Sequence, residues 1–234
     1  MFSNYNLFKE VIKFSLISIN TFGTFFLARG QEEINNEDFF REDQFYLGTS
    51  FMVLSSDQED FNPRGLSRHF QWGFIRDLPL NSSGKLAIGM GLGMSFERYN
   101  TNLNIDKTND NSVNYFIADQ SVSPVFFSVH SIEIPLTLRW RNATLDNFAF
   151  WRVYGGVSLR WNYYNKIRQE IFEIKNSNDI ENLGAVAHVS FGYNTWNFYL
   201  GYNLNSFFSK MTSDFNRLPI ELNPIKIGLI FYIL

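Results

Sequence analysis

The strongest constraint on the fold is a two-residue alternation in the middle of the chain. From Ile132 to Trp140 every even position is apolar, whereas the odd positions from Ser131 to Arg141 are polar, small or charged. Successive side chains of a strand point to opposite faces, so this period predicts a strand with one apolar and one polar face. The polar face carries charges of both signs, and the pattern recurs along the chain. Such alternation is typical of a transmembrane β-barrel, with lipid outside and a polar lumen inside.

The composition agrees with this fold class and excludes several functions. Aromatic residues make up 18% of the 234 residues, a fraction that favours strands and membrane interfaces. The chain has no cysteine, so it has no disulfide, no thiol chemistry and no thiolate ligand for a metal. A net charge of −3 gives no basic footprint for nucleic acid. We therefore expect no nucleic-acid partner.

The first 30 residues have the pattern of a secretory signal peptide. Lys9 and Lys13 precede an apolar stretch over 14–27, and Ala28 and Gly30 are the small residues that predict cleavage after Gly30. We prefer this interpretation to an amphipathic N-terminal helix or anchor, because no later run approaches the roughly 18 apolar residues of a membrane helix. The acidic segment 31–44 is then a periplasmic lead-in, and 45–234 is the barrel domain.

Eight segments of the barrel domain have strand character. They lie at about 45–55, 65–78, 84–99, 128–141, 147–163, 183–194, 197–206 and 222–234. The connections at 79–83, 142–146 and 195–196 are short, whereas those at 56–64, 100–127, 164–182 and 207–221 are longer. Short turns on one side and long loops on the other are typical of outer-membrane barrels. The sequence therefore predicts an all-β protein, an eight-stranded antiparallel barrel with short periplasmic turns and long extracellular loops.

The polar faces of these strands predict a crowded, charged lumen. Eight strands enclose a space that side chains just fill, so inward charges have to pair with one another. We expect Glu133 to be the centre of a structural ion-pair network, in preference to a catalytic acid or an ion path. Its other predicted members are Lys85, Glu97, Arg139, Arg152 and Arg160.

A run of alternating glycines lies inside the third predicted strand. Gly89, Gly91 and Gly93 lack the spacing and the strand-to-helix turn of a nucleotide-binding loop. We interpret them as an inward groove that leaves room for bulky side chains across the lumen, such as Arg152, Tyr154 or Arg160.

Tryptophans stand close to the predicted strand ends on the apolar faces. Aromatic rings collect at the two surfaces of a membrane, so we expect these side chains to form interfacial girdles. They are Trp140, Trp151, Trp161 and Trp196.

No motif of the chain predicts catalysis or cofactor binding. The three histidines, His69, His130 and His188, fall on three different strands, and no cysteine joins them, so we interpret them as polar lumen or rim residues and not as a metal site. No nucleophile elbow is visible. We therefore predict that the protein is not an enzyme, needs no cofactor and has no small-molecule substrate.

Several of these segments together resemble the PorT family, called SprT in gliding bacteria. The resemblance depends on Gln71-Trp-Gly-Phe-Ile-Arg-Asp-Leu-Pro-Leu80, on 87–93 and above all on Val129-His-Ser-Ile-Glu-Ile-Pro-Leu-Thr-Leu-Arg-Trp-Arg141, with 150–156 and 224–234 completing it. The family consists of outer-membrane barrels of the Bacteroidota that serve type IX protein secretion and, in gliding species, motility. The resemblance implies a location in the outer membrane, with membrane lipid and other type IX secretion envelope proteins as partners.

This resemblance leads to one main hypothesis and two alternatives. The main hypothesis is an accessory or assembly factor of type IX secretion, because a lumen of eight strands is too narrow to be the export pore. The first alternative is a stand-alone small barrel of the OmpX or OmpA type, with a role in adhesion or envelope stability. The second is a soluble ligand-binding barrel such as a lipocalin, which ranks lower because the charges occupy the glycine-rich, narrower face.

Overall fold

The computed structural model describes most of the predicted barrel domain. The described residues are 43–56, 61–63, 65–81, 83–107, 113–117, 124–142, 150–169, 172–209 and 220–233. The predicted signal peptide and nearly all of the predicted lead-in lie outside them. The last two lead-in residues, Asp43 and Gln44, already belong to the first strand.

The described part of the chain contains eleven strands. They are β1 (Asp43–Ser55), β2 (Ser67–Pro79), β3 (Leu86–Thr101), β4 (Leu103–Lys107), β5 (Val113–Ile117), β6 (Val125–Arg141), β7 (Trp151–Gln169), β8 (Phe172–Lys175), β9 (Leu183–Tyr193), β10 (Trp196–Asn203) and β11 (Asn223–Ile233). No helix among the described residues is long and apolar enough to cross a membrane.

Eight of the strands close into one antiparallel barrel. Its order is β1-β2-β3-β6-β7-β9-β10-β11, and β11 pairs with β1 to complete the ring. The prediction of an eight-stranded antiparallel barrel is confirmed. Short connections at 80–85, 142–150 and 194–195 meet at one end, here named the turn end. Longer connections at 56–66, 102–124, 170–182 and 204–222 meet at the other end, here named the loop end.

The segments predicted as long loops contain strands of their own. β4 and β5 form a separate hairpin inside 102–124, and β8 pairs with the part of β7 that continues beyond residue 163. Each of these three strands has only four or five residues. Such short runs carry too little alternation to be recognised without their partners.

The stagger of the strands fixes the width of the barrel. A path from Trp161 through successive cross-strand partners goes once around the ring and returns to β7 at Trp151. The two residues are ten positions apart (161 minus 151), which is the stagger of the barrel. With eight strands roughly 4.8 Å apart, this stagger gives a tilt of about 40° and a backbone radius of about 8 Å. An interior of that size is filled by side chains.

Burial alternates along the barrel strands, but with apolar residues outside. On β6, Leu136 and Leu138 are 53% and 55% exposed, whereas Glu133 and Arg139 are buried. The assignment of faces made from the sequence alternation is confirmed. A soluble ligand-binding barrel would bury its apolar face, so this arrangement argues against the lipocalin alternative.

A β-bulge in β7 changes which residues face inward. His130 pairs with Tyr164 and Ser131 with Asn162, so Tyr163 is an extra residue on β7. Before the bulge the even positions, such as Asn162, are buried; after it the odd positions, such as Ile167, are buried. The bulge therefore lets the end of β7 direct an apolar side chain inward at the loop end.

Candidate functional site in the lumen and at the loop end

The first group of buried charges lies in the lumen near the turn end and is named the Asp77 cluster. The Asp77 carboxylate accepts hydrogen bonds from Arg139 and from Arg141, the latter at 2.5 Å, and all three side chains are fully buried. Arg139 also donates to the side-chain oxygen of Gln44, and its guanidinium lies 3.9 Å from the centre of the Tyr154 ring. The side-chain oxygen of Gln44 and the ring of Tyr154 thus add to the stabilisation that the Asp77 carboxylate gives to the charge of Arg139.

The second group, named the Glu97 cluster, lies closer to the loop end. Arg160 Nη1 and Lys226 Nζ lie 2.7 and 2.5 Å from Glu97 Oε1, and the Tyr99 hydroxyl donates to Oε2 at 2.5 Å. All four side chains are buried. Removing Glu97 would leave two buried cations without their shared carboxylate in a medium of low dielectric constant, so Glu97 is the member on which the group depends most.

Glu133 lies between the two clusters and does not link them. Its carboxylate accepts a hydrogen bond from Ser95 Oγ at 2.7 Å, and no lysine or arginine of the described residues forms an ion pair with it. The prediction that Glu133 is the centre of the network is wrong. Its cross-strand neighbour on β7 is Arg160, whose guanidinium pairs with Glu97 instead.

The network predicted from the sequence leaves out Asp77, although the pattern of β2 indicates it. Positions 71, 73, 75 and 77 have the inward parity of β2, and Asp77 is the acid in that series. An inward acid at the end of a strand should have been assigned to the lumen together with the inward arginines.

Two other predicted network members lie at the turn end. Lys85 precedes the first residue of β3 and its side chain is exposed, so its predicted place in the lumen is wrong. Its backbone carbonyl accepts a hydrogen bond from the Arg141 amide at 2.9 Å. Arg152 is buried, donates to the carbonyl of Asn194 and lies 4.4 Å from the centre of the Phe150 ring. Arg152 thus packs against the turn connections.

The three predicted groove glycines line the lumen, but their predicted occupants are wrong. A Cβ at Gly89 would lie 2.6 Å from Arg139 Cδ, one at Gly91 would lie 2.9 Å from Ile75, and one at Gly93 would clash with the Tyr46 hydroxyl. These side chains come from nearby strands β6, β2 and β1, and not from Arg152, Tyr154 or Arg160. Ile75 is the direct cross-strand partner of Gly91, and Tyr46 lies in register with Gly93 one strand further on, whereas Arg139 is diagonal to Gly89.

The lumen also holds an aromatic stack. The ring of Tyr199 lies between those of His69 and His188, with centroid distances of 6.2 and 5.9 Å. His130 is instead on the outer face, 4.1 Å from the ring of Phe96. No group of three histidine, aspartate or glutamate side chains within the described ranges is arranged to hold a metal ion.

An apolar cluster, named the loop cap, closes the lumen at the loop end. It combines the inward residues of strand ends with residues of the long connections, and Phe207 and Phe208 are packed against each other within it. The Phe207 ring lies 4.2 Å from that of Tyr99, so the cap rests directly on the Glu97 cluster. Its members are Met52, Leu54, Tyr99, Leu103, Ile105, Tyr115, Val125, Phe127, Val129, Ile167, Ile180, Phe207, Phe208, Ile220 and Leu222.

Hydrogen bonds tie separate connections together in the loop cap. The Tyr115 hydroxyl donates to the Asp179 carboxylate at 2.7 Å, and the Ser209 amide donates to the Asp179 carbonyl at 2.8 Å. Burial, together with the Asp179 charge, raises the pKa of Tyr115 above its ordinary value. The β4–β5 hairpin, the connection after β8 and the connection after β10 therefore form one ordered unit.

The four predicted girdle tryptophans are all on the outer face. Trp140, Trp151 and Trp196 lie at the turn end, whereas Trp161 lies where β9 begins to pair with β7. Their side chains are 47–64% exposed. The ten residues from Trp151 to Trp161 span about 25 Å along the barrel axis, which is the height of the apolar band of outer-membrane barrels.

The match to a protein-family model agrees with this geometry. The family described as outer membrane protein beta-barrel domain matches residues 35–209. No curated protein sequence matches the chain.

Two solved barrels illustrate the range of structures that align with the chain. Ail, the attachment invasion locus protein of Yersinia pestis, aligns with 9% identity over 82% of this chain and 97% of that chain, with a TM-score of 0.36. An engineered porin of Rhodopseudomonas blastica aligns with 6% identity over 83% of this chain and 100% of that chain, with a TM-score of 0.15.

Proposed function

The chain belongs to the outer membrane protein β-barrel domain family, and from that premise we propose that it is a closed scaffold in the outer membrane. It acts through contacts made by its ordered loop end, without catalysis and without transport through the lumen. This role is that of a stand-alone small barrel that serves adhesion or envelope stability.

The observation that carries this proposal is the filled lumen. The Asp77 cluster, the Glu97 cluster and the loop cap follow one another along the barrel axis, and their side chains are buried. Conduction needs a continuous polar path with sites that an ion can enter and leave. Ion clusters beneath an apolar cap offer no such path, so the outer surfaces of the barrel, with its ordered loop end, are left for function.

Purified protein in planar lipid bilayers tests the closed lumen. We expect no stepwise ionic current from the wild-type protein. A control variant, F208A, would test whether the Asp77 and Glu97 clusters still block the lumen when the loop cap is weakened. Steady channel openings from the wild type would contradict the proposal.

The second candidate is an accessory or assembly factor of type IX secretion, in gliding species also of motility. It is supported by the resemblance of 71–80 and 129–141 to the PorT family. These two segments supply Asp77, Arg139 and Arg141, the three charges of the Asp77 cluster. The resemblance thus includes residues that fill the lumen, as an accessory factor that is not the export pore requires. Its partners would be membrane lipid and other envelope proteins of the secretion system.

A clean deletion in the native host separates the two candidates. Proteins carrying the C-terminal type IX sorting domain would disappear from the medium and accumulate in the periplasm if the secretion role is right. An unchanged set of secreted proteins, with altered attachment or detergent sensitivity of the cells, would support the stand-alone barrel. Restoring the wild-type chain from a plasmid is the control for both readouts.

A further inference from the structure

Basic side chains on the outer face of the loop end are gathered on one side of the barrel. Those that the structure describes are Arg68 on β2, Arg98 on β3, Lys166 and Arg168 on β7, and Lys175 on β8. These strands follow one another around the ring, with only β6 between β3 and β7. On the opposite wall, formed by β9, β10, β11 and β1, no lysine or arginine of the described residues faces outward at this end.

Two of these residues are cross-strand partners of like charge. Arg68 and Arg98 are direct cross-strand partners, and both side chains are exposed. Like charges opposite each other in an antiparallel pair are destabilising. Lys166 and Lys175 share the Glu173 carboxylate at 2.6 and 3.2 Å. In the described part of the chain, by contrast, no carboxylate forms an ion pair with Arg68 or Arg98. An external anion would remove the repulsion.

The arginine pair lies directly above the aromatic edge of the lipid-facing band. The next outward residues towards the turn end are Phe70 and Phe96, which are 41% and 46% exposed and oppose each other. The row continues from Phe96 through His130 and Tyr163 to Trp161, with ring centroids 4.1, 6.1 and 6.4 Å apart in turn. Because aromatic girdles mark the membrane surface, the arginines stand at the level of the lipid head groups.

We propose that Arg68 and Arg98 together bind the phosphate group of a phosphorylated lipid head group in the outer leaflet. A guanidinium presents a planar pair of donors that matches phosphate oxygens, and two of them can share one phosphate. The Arg98 guanidinium lies 4.4 Å from the centre of the Phe126 ring on β6, on the side of β3 opposite to Arg68, so it has to leave that ring to share a phosphate with Arg68. Phe70 and Phe96 lie below the pair, where the acyl chains of the same lipid would pack.

Native mass spectrometry of the full chain in detergent, titrated with bisphosphorylated lipid A, tests the proposal. The double variant R68Q/R98Q should bind this lipid about twenty-five-fold more weakly, since each basic residue near a membrane surface contributes about fivefold. The variant K85Q is the matched control, because it removes an exposed basic residue at the turn end, and it should bind like the wild type. Equal binding by the double variant and the wild type would overturn the proposal.

Two further titrations identify the source of the phosphate. Dephosphorylated lipid A should bind the wild type as weakly as lipid A binds R68Q/R98Q; equal binding of the two lipids would show that acyl chains alone are recognised. Inorganic phosphate should not displace lipid A at equal concentration. Displacement would mean that the pair binds a free anion, and would overturn the assignment to a lipid.

Thermal unfolding gives a readout that does not depend on counting bound lipid. In lipid-free detergent, R68Q should unfold at the same temperature as the wild type or higher, because the variant removes the like charge opposite Arg98 and leaves the contact between Arg98 and Phe126 in place. Lipid A should raise the unfolding temperature of the wild type but not that of R68Q/R98Q. A destabilised R68Q variant without lipid would show that Arg68 has a structural partner, against the proposal.

Discussion

Arg139 reaches Asp77 across an intervening strand. Arg139 is on β6 and Asp77 on β2, and β3 lies between them with Ala87 opposite Arg139 and Gly89 opposite Asp77. The ion pair passes over Gly89, where no side chain obstructs it. The Asp77 cluster therefore depends on Gly89 of the glycine groove.

A side chain at Gly89 should displace the arginine. In G89A the new methyl group would lie 2.6 Å from Arg139 Cδ and 2.9 Å from Ile75 Cγ2, both in the filled lumen. We expect a loss of about 1–3 kcal/mol in the free energy of unfolding, as for other overpacked interiors. Urea unfolding followed by heat-modifiable migration on gels measures it. In the control G155A the nearest atom is 3.8 Å away, and an equal loss there would argue against the explanation.

Removing the Asp77 charge should be far more damaging than removing that of Glu133. D77N removes the carboxylate that pairs with both Arg139 and Arg141, and removing one partner of a buried ion pair costs about 3–5 kcal/mol. E133Q changes a group whose contact is the Ser95 hydroxyl, so we expect a cost of about 1 kcal/mol. Equilibrium unfolding of both variants in the same detergent compares them. Equal costs would restore Glu133 as the centre of the lumen charges.

Depth in the membrane should decide the effect of a charge on the outer face. Leu136 lies in the middle of the apolar band, whereas Leu183 begins β9 opposite Trp161 at its edge. L136R should cost about 2–4 kcal/mol and L183R about 0–1 kcal/mol. Unfolding from phospholipid vesicles measures both values. If the order were reversed, the position of the band along the strands would be wrong.

The loop cap should depend on the Tyr115 hydroxyl in a manner that varies with pH. Because burial beside Asp179 raises the pKa of Tyr115 above 10.0, this group stabilises the folded cap fully below that pH. The contribution is lost as the pH rises through the higher pKa of the folded state. Limited proteolysis of the loops should therefore accelerate at strongly alkaline pH in the wild type. In Y115F this alkaline step should be smaller, and cleavage at neutral pH should be faster. Identical alkaline profiles would exclude Tyr115 as the titrating group.

The sequence predicted what depends on local alternation. The eight barrel strands and their two faces follow from the period of two, because every second side chain along a strand faces the same environment. Which buried charges form ion pairs depends on the stagger between strands that are distant in the sequence. The alternation within one strand does not predict that stagger. Hence Glu133 was expected to be the centre, while Asp77 was overlooked. Lys85 was assigned to the lumen because parity continues into a turn, where the backbone no longer alternates.

The bulge at Tyr163 has a consequence for how the chain meets its surroundings. Before it, β7 directs Arg160 inward and Trp161 outward; after it, β7 directs Ile167 inward and Arg168 outward. The first part of β7 therefore has its apolar side chains outward, as a lipid environment requires. The second part has them inward, as water requires. A single additional residue thus marks the boundary between membrane and water on β7. The sequence itself therefore sets the depth at which this strand lies in the membrane.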